Sequence, residues 1–363
     1  MKISIVRGAF LNPFELQNYS PLTSEFDLTA ISSKHPISDK IGMPLVKLWS
    51  PTDLPSFPFK YSILNRLFTD AHQLYGLERE IKNSDIVHVA ETYYGYTHQA
   101  VMAKRRGLIK KIISTVWETI PHNNEGIRGR RQYKQYAYEN IDKFLAVTNK
   151  AKEALIKEGV STEKIEVIKL GIDINKFKPK QAAKINRHVN ILCVARLVPE
   201  KGITDLVDAF ADIYKKDSHV KLTLVGDGPL KRDLKGYKNI TVKKVPYGII
   251  HNEYQKADIF CLPSLKTKTW EEQYGMSLIE AMASQLPIVT TDTGGIPDVC
   301  GSSALYFKPG DISSLKKNLE HLIYNKEARI SMGRTSRILA EDEYDNRKVA
   351  KQIGEIYKSL VCR

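Results

Sequence analysis

Four short stretches in the second half of the chain combine charge or glycine with the end of an apolar run. The first is Val194-Ala195-Arg196-Leu197-Val198-Pro199-Glu200-Lys201-Gly202. It puts a guanidinium and an ammonium after a strand and beside the start of a helix, an arrangement that suits a phosphate. The second is Gly226-Asp227-Gly228-Pro229, where glycine lets the backbone turn sharply and come close to a ligand. The third runs from Glu271 to Ala283 and holds Glu272 and Glu280, with seven residues between them. Gly275 marks a tight loop before a helix, so Glu272 falls in the loop and Glu280 on the helix. Carboxylates accept paired hydrogen bonds from vicinal hydroxyls such as those of ribose and hexose rings. The helix-start N–H groups of Met276 and Ser277 suit a diphosphate. The fourth is Asp292-Thr293-Gly294-Gly295-Ile296-Pro297. Each alone also reads as an ordinary surface turn, cap or helix-face residue. Four in one half-chain favour a single nucleotide site.

Several other chemistries are disfavoured. The chain has no Gly-x-x-x-x-Gly-Lys-Ser/Thr loop, no Gly-x-Ser-x-Gly elbow and no Asp-x-Asp pair. Its histidines do not cluster at ligand spacing. The four cysteines, Cys193, Cys261, Cys300 and Cys362, show no metal-ligand spacing, and Cys193 and Cys261 in their apolar runs read as reduced core residues.

The elements that position these loops are short Val- and Ile-rich runs alternating with helix-period segments. Twelve strands are predicted: Ile3–Val6, Asp27–Ser32, Asp85–Glu91, Lys111–Glu118, Lys143–Thr148 and Lys164–Lys169, then Val189–Arg196, Val220–Gly226, Ile240–Val245, Asp258–Ser264, Pro287–Asp292 and Ala304–Phe307. Continuous apolar runs of this length fit strands buried on both faces. Ile203, Leu206, Val207, Phe210 and Ile213 fall at helical spacing, as do Val349, Ile353, Ile356, Tyr357 and Leu360. Strand–helix alternation predicts an α/β fold with parallel sheets. A chain of 363 residues is long enough for two domains, and the polar stretch Lys176–His188 is the boundary candidate. Ligands of doubly wound folds sit outside the carboxyl ends of the strands, so two such domains would share a central cleft.

With these segments in place, the chain resembles the retaining GT-B glycosyltransferases of family 4, the "glycosyl transferases group 1" set. The resemblance rests on Leu170-Gly171-Ile172-Asp173 with Phe177-Lys178-Pro179, and on the four loops above. It implies two Rossmann-like domains: an acceptor-binding one at 1–180 plus 345–363, completed by the last helix, and a nucleotide-sugar-binding one at 181–344. It implies transfer of a hexose, such as mannose or glucose, from a UDP or GDP donor with retention, and no metal or other cofactor. Arg196, Lys201 and Glu272 match the family's catalytic positions: the first two hold the diphosphate and Glu272 the donor sugar. Glu280 matches the ribose contact. Pro246 and Tyr247 border the base, and Tyr274, Gly275, Met276 and Ser277 line the sugar or phosphate. Gly226 and Gly8 complete the donor set, although the paired glycines usual after the first strand are reduced here to Gly8. A histidine common after the strand Ser114-Thr115-Val116 is replaced by Trp117-Glu118; Glu118 and His122 are the acceptor-side candidates.

The chain carries 55 basic and 41 acidic residues, a net charge of +14, which favours anionic partners. Residues 101–150 hold 11 basic and 4 acidic residues, a local +7 in the acceptor half. Residues 100–136 set these charges beside apolar and tyrosine residues. They are expected to meet either an anionic membrane surface or a phosphate-bearing acceptor, with a solvated basic face as the plainer reading. The acceptor is expected to be a glycan or a lipid-linked sugar; a soluble sugar or sugar-phosphate acceptor, as in sucrose-phosphate-synthase-like members, is the alternative. No apolar run approaches the roughly 18–20 residues of a membrane span. The N-terminus reads as a strand, so a cytoplasmic protein, peripheral on the inner face of the membrane, is expected. No nucleic-acid signature accompanies the charge.

Overall fold

A computed structural model describes residues 1–180, 188–234 and 236–361 of the chain. They form two compact units, Met1–Gly171 with Asn346–Arg363, and Ile172–Asp345. The expected boundary at 180/181 falls at the edge of residues outside the described set, and Cys362 lies outside it too.

The first unit is built on seven parallel strands: β1 (Lys2–Gly8), β2 (Asp27–Ser33), β3 (Leu45–Leu48), β4 (Ile86–Ala90), β5 (Lys111–Val116), β6 (Lys143–Ala146) and β7 (Ile165–Val167). Their order across the sheet is β3-β2-β1-β4-β5-β6-β7, which reverses between β1 and β4. Alternate residues bury opposite faces. Val6, Val87 and Val89 meet Tyr96, Ala100 and Val101 of the helix Gly95–Arg105. Ile3, Ile5 and Ile86 meet Val349, Ile353 and Tyr357 of the C-terminal helix Asn346–Val361. That helix is tied to the sheet by His88, whose Nδ1 lies 2.7 Å from the Tyr357 hydroxyl and whose Nε2 lies 2.8 Å from Thr115 Oγ1. Arg7, which looks like an interruption of the first strand, is buried there. It donates to Glu15 at 2.6 Å, to the carbonyls of Val6 and His88, and to Tyr19. Each of its three nitrogens thus has an acceptor, and Glu15 balances the charge, as a buried cation requires.

The second unit has six parallel strands: β8 (Val189–Val194), β9 (Val220–Val225), β10 (Ile240–Lys243), β11 (Ile259–Leu262), β12 (Ile288–Thr291) and β13 (Ala304–Phe307). The order is β10-β9-β8-β11-β12-β13, the doubly wound arrangement whose reversal lies between β8 and β11. Ile191, Cys193, Leu222 and Leu224 pack under Leu206, Val207 and Phe210 of the helix Ile203–Lys216.

All twelve expected strands are present, nine of them one or two residues shorter at the carboxyl end. β3 is additional. It is an edge strand of four residues with only Leu48 buried, too short and too exposed to leave an apolar run.

Candidate functional site

In the second unit the four loops meet at the carboxyl edge of the sheet. The loop after β8 bonds to the loop after β9: Leu197 N donates to Asp227 O at 2.9 Å, and Leu230 N to Leu197 O at 3.1 Å. It also bonds to the loop after β11, where Leu265 N donates to Glu200 O at 2.9 Å. The loop after β12 closes on the same segment, with Gly295 N donating to Glu272 O at 2.8 Å. Two glycines make this packing possible. A Cβ at Gly202 would stand 1.9 Å from the Pro263 carbonyl oxygen, and one at Gly294 1.9 Å from that of Glu272. Both have positive φ, +64° and +61°. Gly226 lies equally close to the carbonyl of Ala195.

This packing brings Lys201 and Glu272 together. They form an ion pair with both side chains nearly buried. The Lys201 ammonium lies 4.9 Å from the centre of the Trp270 ring, and Ser264 Oγ donates to Glu272 Oε2 at 2.8 Å. Arg196 differs: it is exposed and only loosely paired with Glu200, at 3.6 Å. It is a cation with freedom to close on an anion.

Gly275, with φ +79°, caps the helix Met276–Ala283. Glu280, on the buried side of that helix, accepts from the Tyr254 hydroxyl at 2.5 Å. Tyr247 also hydrogen-bonds it. Burial pushes the Glu280 carboxyl up to about 7, against the lowering effect of these two hydroxyls and of Lys176. Lys176 lies 4.5 Å above the Tyr247 ring and donates to its carbonyl at 3.2 Å. Burial lowers the Lys176 pKa. Pro246 precedes the single turn Tyr247–Ile249 at the end of β10. Tyr274 is buried, while Met276 and Ser277 are half-exposed at the helix start. Ser264, Tyr254 and Lys176 were not singled out in the sequence. No local spacing links Tyr254 to Glu280 or Ser264 to Glu272.

The remaining candidates, Gly8, Glu118 and His122, belong to the first unit. Gly8 has φ +52° and lies against the Tyr96 ring. Glu118 is buried and its two oxygens are engaged within its own loop, by Thr119 N, Ile120 N and the amides of Asn123 and Asn124. His122 is exposed, and its Nδ1 sits 3.2 Å from Glu125. Among the described residues His122, Glu125 and Glu158 form the single group whose ligand atoms approach metal-site spacing. Lys134 is already paired with both carboxylates. Neighbouring Glu91, at the end of β4, was also not foreseen. It is buried with φ +57°, and its Oε2 has no partner among the described residues.

The basic stretch 100–136 is largely neutralised within the unit. Lys104 is paired with Asp142 at 2.6 Å, Lys110 with Asp85 at 2.7 Å and Arg130 with Asp70 at 2.6 Å, while Arg106 meets Glu78 and Lys134 meets Glu158. The local excess of charge read from the sequence is therefore not a matching excess of free cations.

Two doubly wound parallel sheets, with the carboxyl-end loops of the second gathered around a buried Lys–Glu pair, define an α/β protein of the GT-B kind. The family model for glycosyl transferases group 1 matches residues 174–338, and that for glycosyltransferase family 4 matches residues 42–176. The chain belongs to the GT-B glycosyltransferases of group 1. It is 28% identical over 242 residues to an amylovoran biosynthesis glycosyltransferase of Erwinia amylovora, covering 64% of this chain and 59% of that protein. To a capsular polysaccharide biosynthesis glycosyltransferase of Staphylococcus aureus it is 24% identical, covering 65% and 68%. Similar solved folds include Anabaena HepE in complex with UDP and glucose, with TM-score 0.75 at 17% identity over 99% of this chain and 100% of that one. Sucrose-phosphate synthase of Thermosynechococcus elongatus gives TM-score 0.75 at 16% identity, over 99% of each chain.

Proposed function

We propose that the protein is a retaining hexosyltransferase that moves a sugar from a UDP- or GDP-hexose to a glycan or lipid-linked acceptor without a metal. The observation that carries it is the convergence of four strand-end loops on Lys201 and Glu272, at the sheet edge where doubly wound folds bind ligands. In this reading Arg196, Lys201 and the first N–H groups of the helix Met276–Ala283 hold the diphosphate. Glu280 accepts from the ribose hydroxyls, Glu272 from the sugar, and Pro246 and Tyr247 border the base. As the bond from C1 to the diphosphate oxygen breaks, charge grows on the leaving diphosphate. Arg196 and Lys201 are pre-placed to stabilise it. The acceptor oxygen bonds to C1 on the same face, and its proton passes to the departing phosphate oxygen, so no side-chain base is needed.

The names of the Erwinia and Staphylococcus relatives support a polysaccharide-building role. Among the described residues no helix is long and apolar enough to cross a membrane. We place the protein in the cytoplasm, peripheral to the inner face of the membrane where lipid-linked acceptors are exposed. A thermal-shift screen against UDP-, GDP- and ADP-sugars tests the donor. A ligand at 100 times its Kd adds about 2.7 kcal/mol of stability, so one base is expected to shift the melt selectively. No shift with any of them overturns the proposal.

A further inference from the structure

The helix Lys60–Phe68 in the first unit buries only Leu64. It begins after Phe59, whose φ is +58°, and ends at Thr69, whose φ is +63°. Phe59, Ile63 and Leu67 recur at intervals of four and so share one helix face. That face is open to solvent: the three side chains are 79%, 46% and 70% exposed. A contiguous exposed apolar stripe on a water-soluble surface marks an interaction site.

Beside the stripe runs a groove of about 610 Å³, lined by Tyr61, Ser62, Asn65 and Arg66 of this helix and by Gly126, Ile127 and Arg128 of the loop opposite. On the helix wheel Arg66 stands between the groove and the stripe. The groove is held open by buried structure. Gly129, with φ +89°, leaves room for Thr69, whose methyl would stand 2.7 Å from a Cβ there. Asp70, just after the helix, is bonded to Arg130 at 2.6 Å and to Gly95 N at 2.7 Å. Where Lys104, Arg106, Lys110, Arg130 and Lys134 all face carboxylates, Arg66 and Arg128 have no hydrogen-bond or ion-pair partner among the described residues.

Two unpaired guanidiniums in one groove suit a phosphate, since each offers a planar fork of donors. An apolar stripe alongside suits the acyl boundary beneath a layer of headgroups. The geometry points to an anionic phospholipid bilayer as the occupant: phosphate headgroups enter the groove between Arg66 and Arg128, and Phe59, Ile63 and Leu67 sink into the interface. The surface charge that matters is thus two arginines beside a helix, not the basic run at 104–111. This inference rests on the peripheral placement proposed above and not on the donor reading.

The test is co-sedimentation of the full chain with phosphatidylcholine vesicles, with and without 30% phosphatidylglycerol. The wild type is expected to bind the anionic vesicles preferentially. Each basic residue near a charged surface contributes about fivefold in affinity, so R66Q/R128Q is expected to lose about 25-fold. I63S/L67S is expected to lose at least about tenfold. K104Q/K110Q, whose cations are already paired, is expected to bind as the wild type. Equal recovery of wild type on both vesicle types overturns the proposal, as does wild-type binding by R66Q/R128Q or an equal loss in K104Q/K110Q. Saturating inorganic phosphate is expected to weaken binding only partly. Complete release by phosphate, with a matching rise in Tm, would make the groove a soluble-phosphate site and equally overturn it. Circular dichroism melts confirm that each variant is folded before it is compared.

Discussion

Lys201 and Glu272, 71 positions apart in sequence, form a nearly buried ion pair between the loops that follow β8 and β11. Each is the other's charged partner, and that makes their roles separable. Removing one partner of a buried pair leaves the other uncompensated, at a cost of about 3–5 kcal/mol when burial is complete. Glu272→Gln is expected to lower Tm and to lower kcat by about 10²-fold through a misplaced sugar. It also frees Lys201 for a phosphate, so UDP should bind the variant at least as tightly as the wild type. UDP should raise the variant's Tm by more than it raises that of the wild type. Calorimetry and melts with UDP measure both. Loss of UDP binding together with kcat would remove the division of labour between sugar and diphosphate.

Arg196 tests the diphosphate site from the other side. It is exposed and its contact with Glu200 is long, and exposed pairs of this kind contribute about 0–1 kcal/mol. Arg196→Ala is therefore expected to leave Tm within a degree or two of the wild type. Removing a donor that acts on the leaving group costs about 10²–10³ in rate. Steady-state transfer assays beside a melt make the comparison. An unchanged kcat/KM would take Arg196 out of the donor site.

Glu280 gives a pH signature. Its carboxyl ionises at about 7 because burial opposes the charge more than Tyr254, Tyr247 and Lys176 favour it. The ionised form accepts hydrogen bonds from two ribose hydroxyls; the neutral acid keeps one oxygen as a donor. The diphosphate of a nucleotide sugar is esterified at both ends and has no proton to lose near neutrality, so it does not obscure this titration. Donor KM is expected to rise as pH falls through about 7, and Glu280→Gln to flatten that profile at a uniformly higher KM. A wild-type KM that is level from pH 6 to 8 would contradict the ribose assignment.

The four loops were legible because each puts its signal next to a strand end, where apolar run, glycine and charge adjoin in sequence. Their convergence follows from the doubly wound order, which brings the ends of β8, β9, β11 and β12 to one edge. Tyr254 and Ser264 were not legible, since neither carries a local mark and each acts only through a carboxylate placed by tertiary packing. The pairing of the basic stretch was not legible for the same reason. Three of the carboxylates that neutralise it, Asp70, Glu78 and Asp85, come from upstream of residue 101, so a window over 101–150 counts the cations without their partners. β3 escaped because an edge strand need bury little.

Glu91 offers a test of how the first unit's sheet edge is built. The residue follows β4 in a left-handed conformation rare for a side chain of this kind. Its Oε1 accepts from Trp117 N at 2.8 Å and Glu118 N at 3.2 Å, while Oε2 is buried without a partner among the described residues. Burial, with the nearby Glu118 carboxylate, pushes its pKa from 4.5 up to about 8. A carboxyl whose folded pKa is raised stabilises the fold fully below the unfolded pKa, and that contribution is lost as pH rises through the folded one. Between about 4.5 and 8 the unfolded chain has released this proton and the folded chain still holds it. Stability linked to Glu91 must then fall with pH, by at most about 1.4 kcal/mol per pH unit. Glu91→Gln cannot ionise and mimics the neutral acid in shape. The variant is expected to match the wild type near pH 4.5 and to become progressively more stable than it toward pH 8.5, with no further divergence above that. Urea melts at half-unit pH intervals measure the difference. Parallel curves for the two proteins would mean that Glu91 is ionised in the folded state and that a partner for Oε2 exists in solution.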